Sequence, residues 1–247
     1  MDKVRFVGSG DSFGSGGRFQ TCILGELSGR RFLLDCGASS LIAMRAQGVD
    51  PNSIDAILLT HMHGDHCAGV PFLLVDAMLG AKRTRDLVVA GPPGSAAKMD
   101  ALREALFPGS HVMRPKFRYE YLELEAGRPN AVAGMSVTPY RALHTPETTP
   151  TMLRVEHGGR VVVYTGDTEW TEDLVAAADG ADLLVSECYF YDKPVRMHMN
   201  YVTLERHLPR LNARRVVLTH MSPEMLARSA GLPVRCASDG LEIELDP

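Results

Sequence analysis

No apolar run among the 247 residues approaches the roughly 18 that a membrane-crossing helix needs, so no bilayer span is expected. Cysteine is sparse and poorly spaced for pairing. The five thiols, at positions 22, 36, 67, 188 and 236, are odd in number and share no CxxC spacing. That argues against both a disulfide framework and a thiolate zinc site. Positive charge is not in excess either: 26 Lys and Arg face 30 Asp and Glu, for a formal net charge of −4. A surface built to grip nucleic acid is usually basic, so a general nucleic-acid binder is disfavoured, although a local basic patch is compatible. Low-complexity linkers and short-period repeats are absent, and no clear boundary divides the chain, so one domain over 1–247 is expected. The first residues, MDKVRFVGSGD, turn glycine-rich after one short strand, unlike a signal peptide. The expectation is a cytoplasmic protein with reduced thiols. Hydrophobic residues at 45% and charged residues at 23% suit an ordinary globular core and exclude disorder as the overall state.

What is present reads as strands interleaved with helices. Strands are predicted at 4–7, 21–27 and 31–35, with Ser28-Gly29 as a hairpin turn. A helix is predicted at 39–47, with Ser39 in the capping position and Gly48 as its stop. The apolar run 54–60 has strand length, 65–79 is helical in composition, 87–90 is a buried strand, and 94–106 is a helix beginning near a proline pair. Strands follow at 117–124, 132–143 and 151–157, and a Gly-Gly turn leads into 160–165. Helices at 171–178, 202–211 and 223–230 alternate with strands at 181–187 and 215–219, and 234–245 supplies one or two more. Two sheets packed face to face with helices outside accommodate this pattern. So does an open α/β sheet, and periodicity alone does not separate the two.

The chemistry concentrates in Thr60-His61-Met62-His63-Gly64-Asp65-His66, where four metal-competent side chains fall within six residues directly after an apolar strand. Imidazole and carboxylate are the ligands that zinc and its neighbours take. Alternate residues at a strand end share a side, which puts His61 and His63 together. After the turn at Gly64, Asp65 and His66 open a helix and point back from a different position. That arrangement suits two adjacent metals better than one.

This segment resembles the HxHxDH motif of the metallo-β-lactamase superfamily, and the resemblance runs from residue 4 to about 222. Leu33-Leu34-Asp35-Cys36-Gly37 resembles the family's first motif, which would make Asp35 a support for the metal histidines; a helix N-cap role for its carboxylate is compatible. His144, in Ala142-Leu143-His144-Thr145-Pro146, resembles the third motif, Tyr164-Thr165-Gly166-Asp167-Thr168 the fourth, and His220, in Val217-Leu218-Thr219-His220, the fifth. The resemblance implies an α/β fold, the four-layer αββα metallo-β-lactamase sandwich. It implies that His61, His63 and His144 hold one divalent ion, that Asp65, His66 and His220 hold another, and that Asp167 bridges them. Asp65 counts among the catalytic groups as well. Zinc is the first expectation for both ions, and manganese or iron also suits such ligands.

Within that superfamily, Phe6-Val7-Gly8-Ser9-Gly10 through Gly16-Gly17-Arg18 resembles the glycine-rich start of the ribonuclease Z group. It lacks the Gly-Lys-Ser/Thr ending of a nucleotide P-loop and leads into a strand; Arg18 is a candidate phosphate contact. Ser186-Glu187-Cys188-Tyr189 sits where that group carries His-Glu-Ala-Thr, and only the Glu is retained. His198-Met199-Asn200 sits where it carries His-Ser-Thr. The resemblance makes His198 the general acid that protonates the leaving oxygen and Glu187 the carboxylate that holds its tautomer. Two departures bear on the substrate. The interval from His144 to Asp167 is nearly filled by two strands and a turn, where tRNA-processing members carry a long tRNA-gripping insertion. Ser222-Pro223-Glu224 also replaces the group's Ser-x-Arg-Tyr. A whole tRNA is therefore disfavoured. The expected partner is a small anionic substrate, a cyclic or linear phosphodiester cleaved by hydroxide made at the metals with His198 as acid. The alternatives are a metallo-hydrolase of a thioester, lactone or sulfate ester, a ribonuclease Z-like RNA endonuclease, or a metal-binding module without turnover. Dimers are common among similar proteins, and a homodimer is expected. His111, His157 and His207 lie outside the motifs and are expected to be structural or exposed.

Overall fold

The computed structural model describes residues 1–245. One sheet forms from β1 (Lys3–Gly8), β2 (Cys22–Leu27), β3 (Arg30–Leu34), β4 (Ala56–Leu58), β5 (Leu87–Gly91) and β6 (Tyr119–Glu123). Its first three strands are antiparallel and the rest run parallel. A second sheet repeats the plan. β7 (Asn130–Val132), β8 (Met135–Arg141), β9 (Thr151–His157) and β10 (Arg160–Tyr164) form an antiparallel meander, followed by parallel β11 (Leu183–Glu187), β12 (Val216–Thr219) and β13 (Arg235–Cys236). The last strand, β14 (Glu242–Glu244), returns to the first sheet and pairs with β1.

The reason for two sheets is written in both faces of each strand. In β3, Phe32 and Leu34 enter a central core shared with Val162, Tyr164, Leu183 and Val185 of the second sheet. Leu33, between them, faces outward onto Ala43 and Met44 of α1 (Ser40–Ala46) and Leu73 and Leu74 farther along. Strands buried on both sides read as unbroken apolar runs, which is why periodicity in 54–60 or 181–187 could not separate the two architectures. The first sheet's outer face is covered by α1, α2 (Gly64–Cys67), α3 (Gly69–Val75) and α4 (Ser95–Leu106). The second is covered by α5 (Asp173–Ala178), α6 (Tyr201–His207) and α7 (Pro223–Arg228). The result is the four-layer αββα sandwich.

Some local expectations need correction. The predicted strand 132–143 is β8, except that Val132 ends β7 across a tight turn at Ala133 and Gly134, which both hold positive φ (48° and 83°) as such turns require. The stretch 234–245 divides between the two sheets. Ser39 does not cap α1 through its side chain; its Oγ accepts the Gln20 N–H at 2.8 Å and ties the glycine loop to the helix. Helix α6 stops at His207, because Pro209 tightens the next turn into a 3₁₀ segment, Leu208–Arg210. Among the described residues, no helix is long and apolar enough to cross a membrane.

Candidate metal centre

Strands β3, β4, β8, β10, β11 and β12 point the same way, so the residues just beyond them collect along one rim, the place where α/β sheets present ligands. Asp35 follows β3; Thr60 and His61 follow β4; His144 follows β8; Asp167 follows β10; Glu187 ends β11; His220 follows β12. The chain turns sharply at these ends. Asp35 (φ 59°) and His220 (φ 57°) both hold the left-handed conformation that non-glycine residues rarely adopt. Gly166 does so too (φ 54°), and a Cβ there would stand 2.8 Å from the Thr60 side chain, so glycine is required before Asp167.

All seven sequence-selected side chains meet. The His63 Nδ1 lies 3.2 Å from His61 Nε2 and 3.1 Å from His144 Nε2. Beside this group, His66 Nε2 lies 3.3 Å from His220 Nε2 and 3.2 Å from Asp65 Oδ2. Asp167 stands between, one oxygen for each group. Its Oδ2 is 3.9 Å from His61 Nε2 and 3.8 Å from His144 Nε2; its Oδ1 is 3.3 Å from His66 Nε2 and 3.6 Å from His220 Nε2.

These spacings fit divalent ions. Ligand atoms about 2.0–2.1 Å from a tetrahedral zinc are separated from one another by about 3.3 Å. A single hydrogen on His63 Nδ1 serves one of its two neighbours, His61 Nε2 or His144 Nε2, and an ion between the three rings would relieve both contacts. Asp167 Oδ1 is also buried without a hydrogen-bond partner among the described residues, a costly state for a polar group unless something binds it. The outer nitrogens settle the tautomers. His66 Nδ1 meets Asp35 Oδ2 at 2.6 Å, His144 Nδ1 meets the Met197 carbonyl at 2.7 Å, and His61 Nδ1 meets Thr60 Oγ1 at 3.0 Å. Each outer nitrogen therefore carries the hydrogen, and each Nε2 lone pair turns inward. Asp35 is not a helix cap, because Ser39 holds the N-cap position of α1; its carboxylate accepts from the Thr60 N–H and Thr60 hydroxyl, both at 2.7 Å, as well as from His66.

Electrostatics divides the two groups. Burial pushes His61, His63 and His144 below the ordinary imidazole value, so they are neutral and ready to donate lone pairs. Burial acts the same way on His66, but Asp167, Asp65 and Asp35 outweigh it and hold that ring well above its ordinary value. His220 is likewise raised, by Asp167 and Asp65 against burial. The carboxylate field that would hold protons there is the field that favours a cation.

His198 sits at the edge of the cluster with its Nδ1 3.1 Å from Glu187 Oε2. Glu187 is fully buried, and its other oxygen accepts the Thr168 N–H. Burial lowers the His198 value, yet Glu187, through charge and hydrogen bond, and Asp167 raise it to about 9. His63, His144, Asp167, His198, Tyr189 and Arg196 line a cavity of about 290 Å³ over the cluster. A larger cavity, about 610 Å³, lies at the start of β12 near Arg215 and Arg235, the strand end remote from His220.

Arg18 does not reach this cavity. Its Nη1 donates to the Ala237 carbonyl at 2.6 Å, and Asp239 ties down Ser9 and Phe19 beside it, so it closes the glycine loop instead of meeting phosphate. His111 pairs with Glu104 at 3.0 Å, and His207 stacks on Trp170 at 3.9 Å, both away from the cluster. Thr60, Met197 and Arg196 are not evident from sequence. Only Thr60 carries a signal there, since it abuts the histidine motif.

A family model described as "Anti-Pycsar protein Apyc1" matches residues 2–232. A ribonuclease Z of Mycobacterium sp. (strain KMS) is 30% identical over 241 residues, spanning 93% of this chain and 80% of its own. The metallo-beta-lactamase fold protein YhfI from Bacillus subtilis superposes with a TM-score of 0.79 at 22% identity, over 98% of each chain. Human tRNase Z, short form, also superposes at 0.79 with 22% identity, over 99% of this chain and 100% of its own.

Proposed function

The chain belongs to the Anti-Pycsar protein Apyc1 family, among the ribonuclease Z-like hydrolases of metallo-β-lactamase fold, and we propose that it is a dinuclear-metal phosphodiesterase acting on a small cyclic or linear phosphodiester. The observation that carries this reading is Asp167, whose two oxygens face two separate ligand groups beneath a cavity that His198 also lines. His61, His63 and His144 would hold one divalent ion, Asp65, His66 and His220 the other, with Asp167 shared. Zinc suits this donor set, and manganese or iron suits it nearly as well. Bound there, such ions acidify water and neutralise phosphate charge.

The chain's own groups do the rest. The rigid donors fix the cavity floor, so a phosphate lying on it has one face toward the cluster and its ester oxygen toward His198. Glu187 holds the His198 ring with Nδ1–H directed at itself, which leaves Nε2–H for the leaving oxygen. An imidazole raised toward 9 is protonated at neutral pH, the state a general acid needs. The buried Glu187 keeps that proton from dissipating into solvent by pairing with the imidazolium. Asp65 serves in orientation as well as ligation, since its Oδ2 touches both His66 and His220 at 3.2 Å.

The interval from His144 to Asp167 holds only the turn Pro146–Thr148, β9 and β10. No arm long enough to hold the body of a tRNA stands there, which favours a small substrate. The 30% identity to a ribonuclease Z favours RNA cleavage as the second reading. The test is a panel of substrates offered to metal-loaded protein: a nitrophenyl phosphodiester, a cyclic phosphodiester, a short RNA, an unprocessed tRNA, a thioester and a lactone. Turnover of the small phosphodiesters well above the rest is expected. Preference for the tRNA would install the second reading, and preference for the thioester or lactone would refute phosphodiester chemistry.

A further inference from the structure

The segment between β11 and α6 is pinned at one residue. The Met197 N–H donates to Glu169 Oε1 at 2.7 Å, its carbonyl accepts from His144 Nδ1 at 2.7 Å, and the Thr145 hydroxyl lies 3.5 Å from its sulfur. Met197 is held at φ 73°, a conformation that persists in a non-glycine residue only where the surroundings impose it. The residues on either side are therefore fixed relative to the metal ligands. His198, on one side, meets Glu187. Arg196, on the other, lines the cavity over the cluster and also an adjoining one of about 280 Å³ bounded by Trp170, Asn200 and Thr203.

Arg196 is exposed, and among the described residues it has no ion pair and no side-chain hydrogen bond. The neighbouring cations are occupied: Lys193 lies over the Phe190 ring at 4.9 Å, and Arg228 pairs with Asp192 at 3.8 Å. The nearby carboxylate of Glu169 accepts the Met197 N–H through Oε1 and forms no ion pair with Arg196. A guanidinium offers five donors in a planar fork and accepts nothing, so its preferred partner is an oxyanion. Here it stands unspent at the mouth of a cavity whose floor is built to hold cations.

We propose that Arg196 is a substrate-binding residue that grips the phosphate oxygens turned away from the ligand cluster and so selects anionic esters over neutral ones. This rests on the phosphodiesterase reading for its substrate, but not for the binding of phosphate itself. The test uses full-length, metal-loaded protein with Arg196→Ala and Arg196→Lys. Titration with inorganic phosphate gives an affinity independent of turnover, and a nitrophenyl phosphodiester gives KM and kcat. Loss of a charge-assisted bidentate contact should weaken phosphate binding about 10- to 100-fold in Arg196→Ala, and raise KM by a similar factor with kcat changed less. Arg196→Lys should recover part of the loss, because the charge returns without the fork. Phosphate affinity in Arg196→Ala within about twofold of wild type overturns the assignment. Should wild-type protein cleave no phosphodiester at all, the functional reading fails, while the phosphate titration still decides the role of Arg196.

Discussion

Replacing Asp35 by Asn isolates one carboxylate oxygen at the back of the candidate metal centre. Asn tolerates the left-handed backbone at φ 59° and keeps the shape of Asp, so the turn after β3 should survive. It also keeps Oδ1, which accepts the Thr60 N–H at 2.7 Å. What it loses is Oδ2, the acceptor for His66 Nδ1 at 2.6 Å and for the Thr60 hydroxyl at 2.7 Å. An amide nitrogen there confronts two donors with a third. A hydrogen bond to a charged acceptor contributes about 1.5–3 kcal/mol, and such outer partners typically account for 10- to 100-fold in metal affinity. His66 belongs to the Asp65–His220 group and is held directly. His61 is reached only through Thr60, so the two ions should respond unequally. Zinc titration of apo protein against a chromogenic chelator, with metal counted after dialysis, should show two ions per wild-type chain. Asp35→Asn should retain one ion nearly as tightly and hold the other about 10- to 100-fold more weakly. Two ions of wild-type affinity in the variant would refute the claim that this carboxylate orients a metal ligand.

His198→Ala should leave metal content intact and slow turnover by about 10²–10⁴-fold, least for an ester with an acidic leaving group such as nitrophenol; equal slowing of all esters would refute proton donation. The pH dependence comes from the same group. The working form is protonated, so activity should hold below the folded value and fall as pH rises through it; that value is near 9 without cations, and ions beside Asp167 lower it by cancelling part of the carboxylate's field. The alkaline limb of the kcat/KM profile should vanish in His198→Ala, and its persistence would assign the limb elsewhere. Arg83 offers a test of the scaffold alone: it is 1% exposed and donates to the carbonyls of Pro51, Asn52, Ile54, Arg85 and Asp86. Arg83→Met strands those acceptors and should cost about 3 kcal/mol or more in urea unfolding, with metal stoichiometry unchanged in the folded fraction.

The ligand candidates are legible in sequence because each stands next to an apolar strand whose end is marked with glycine, threonine or proline. That placement is what brings Asp35, His61, His144, Asp167 and His220 to one rim. Two things are not legible. Burial on both faces erases the two-residue alternation, so only tertiary packing decides between one sheet and two. Groups that act through the backbone also leave no residue-type signal: the Met197 carbonyl orients His144 whatever its side chain is. Arg18 misleads for the converse reason. A guanidinium in a glycine loop suggests phosphate, but a partly buried one finds carbonyls first, and the Ala237 carbonyl at 2.6 Å is in reach.

Three of the seven described non-glycine residues with positive φ stand at the candidate site, and the other four, Ser28, Lys82, Ala133 and Thr149, stand in other turns and loops. Asp35, His220 and Met197 all hold positive φ at the rim, each next to or within the ligand network, and each such residue costs on the order of 1–3 kcal/mol. The strands behind them are fully buried where they approach the rim, with Leu34, Leu58, Tyr164, Val185 and Leu218 all at 0% exposure. A close-packed scaffold of this kind relaxes poorly, so it can hold its strand ends in conformations the free chain would leave. The gain is placement. A left-handed turn directly after β3 and another after β12 aim Asp35 and His220 at the same histidine, His66, from sequence positions 185 residues apart (220 − 35). The ligand cluster is thus a property of where the strands end, and substitutions that relax those turns should loosen metal binding before they loosen the fold.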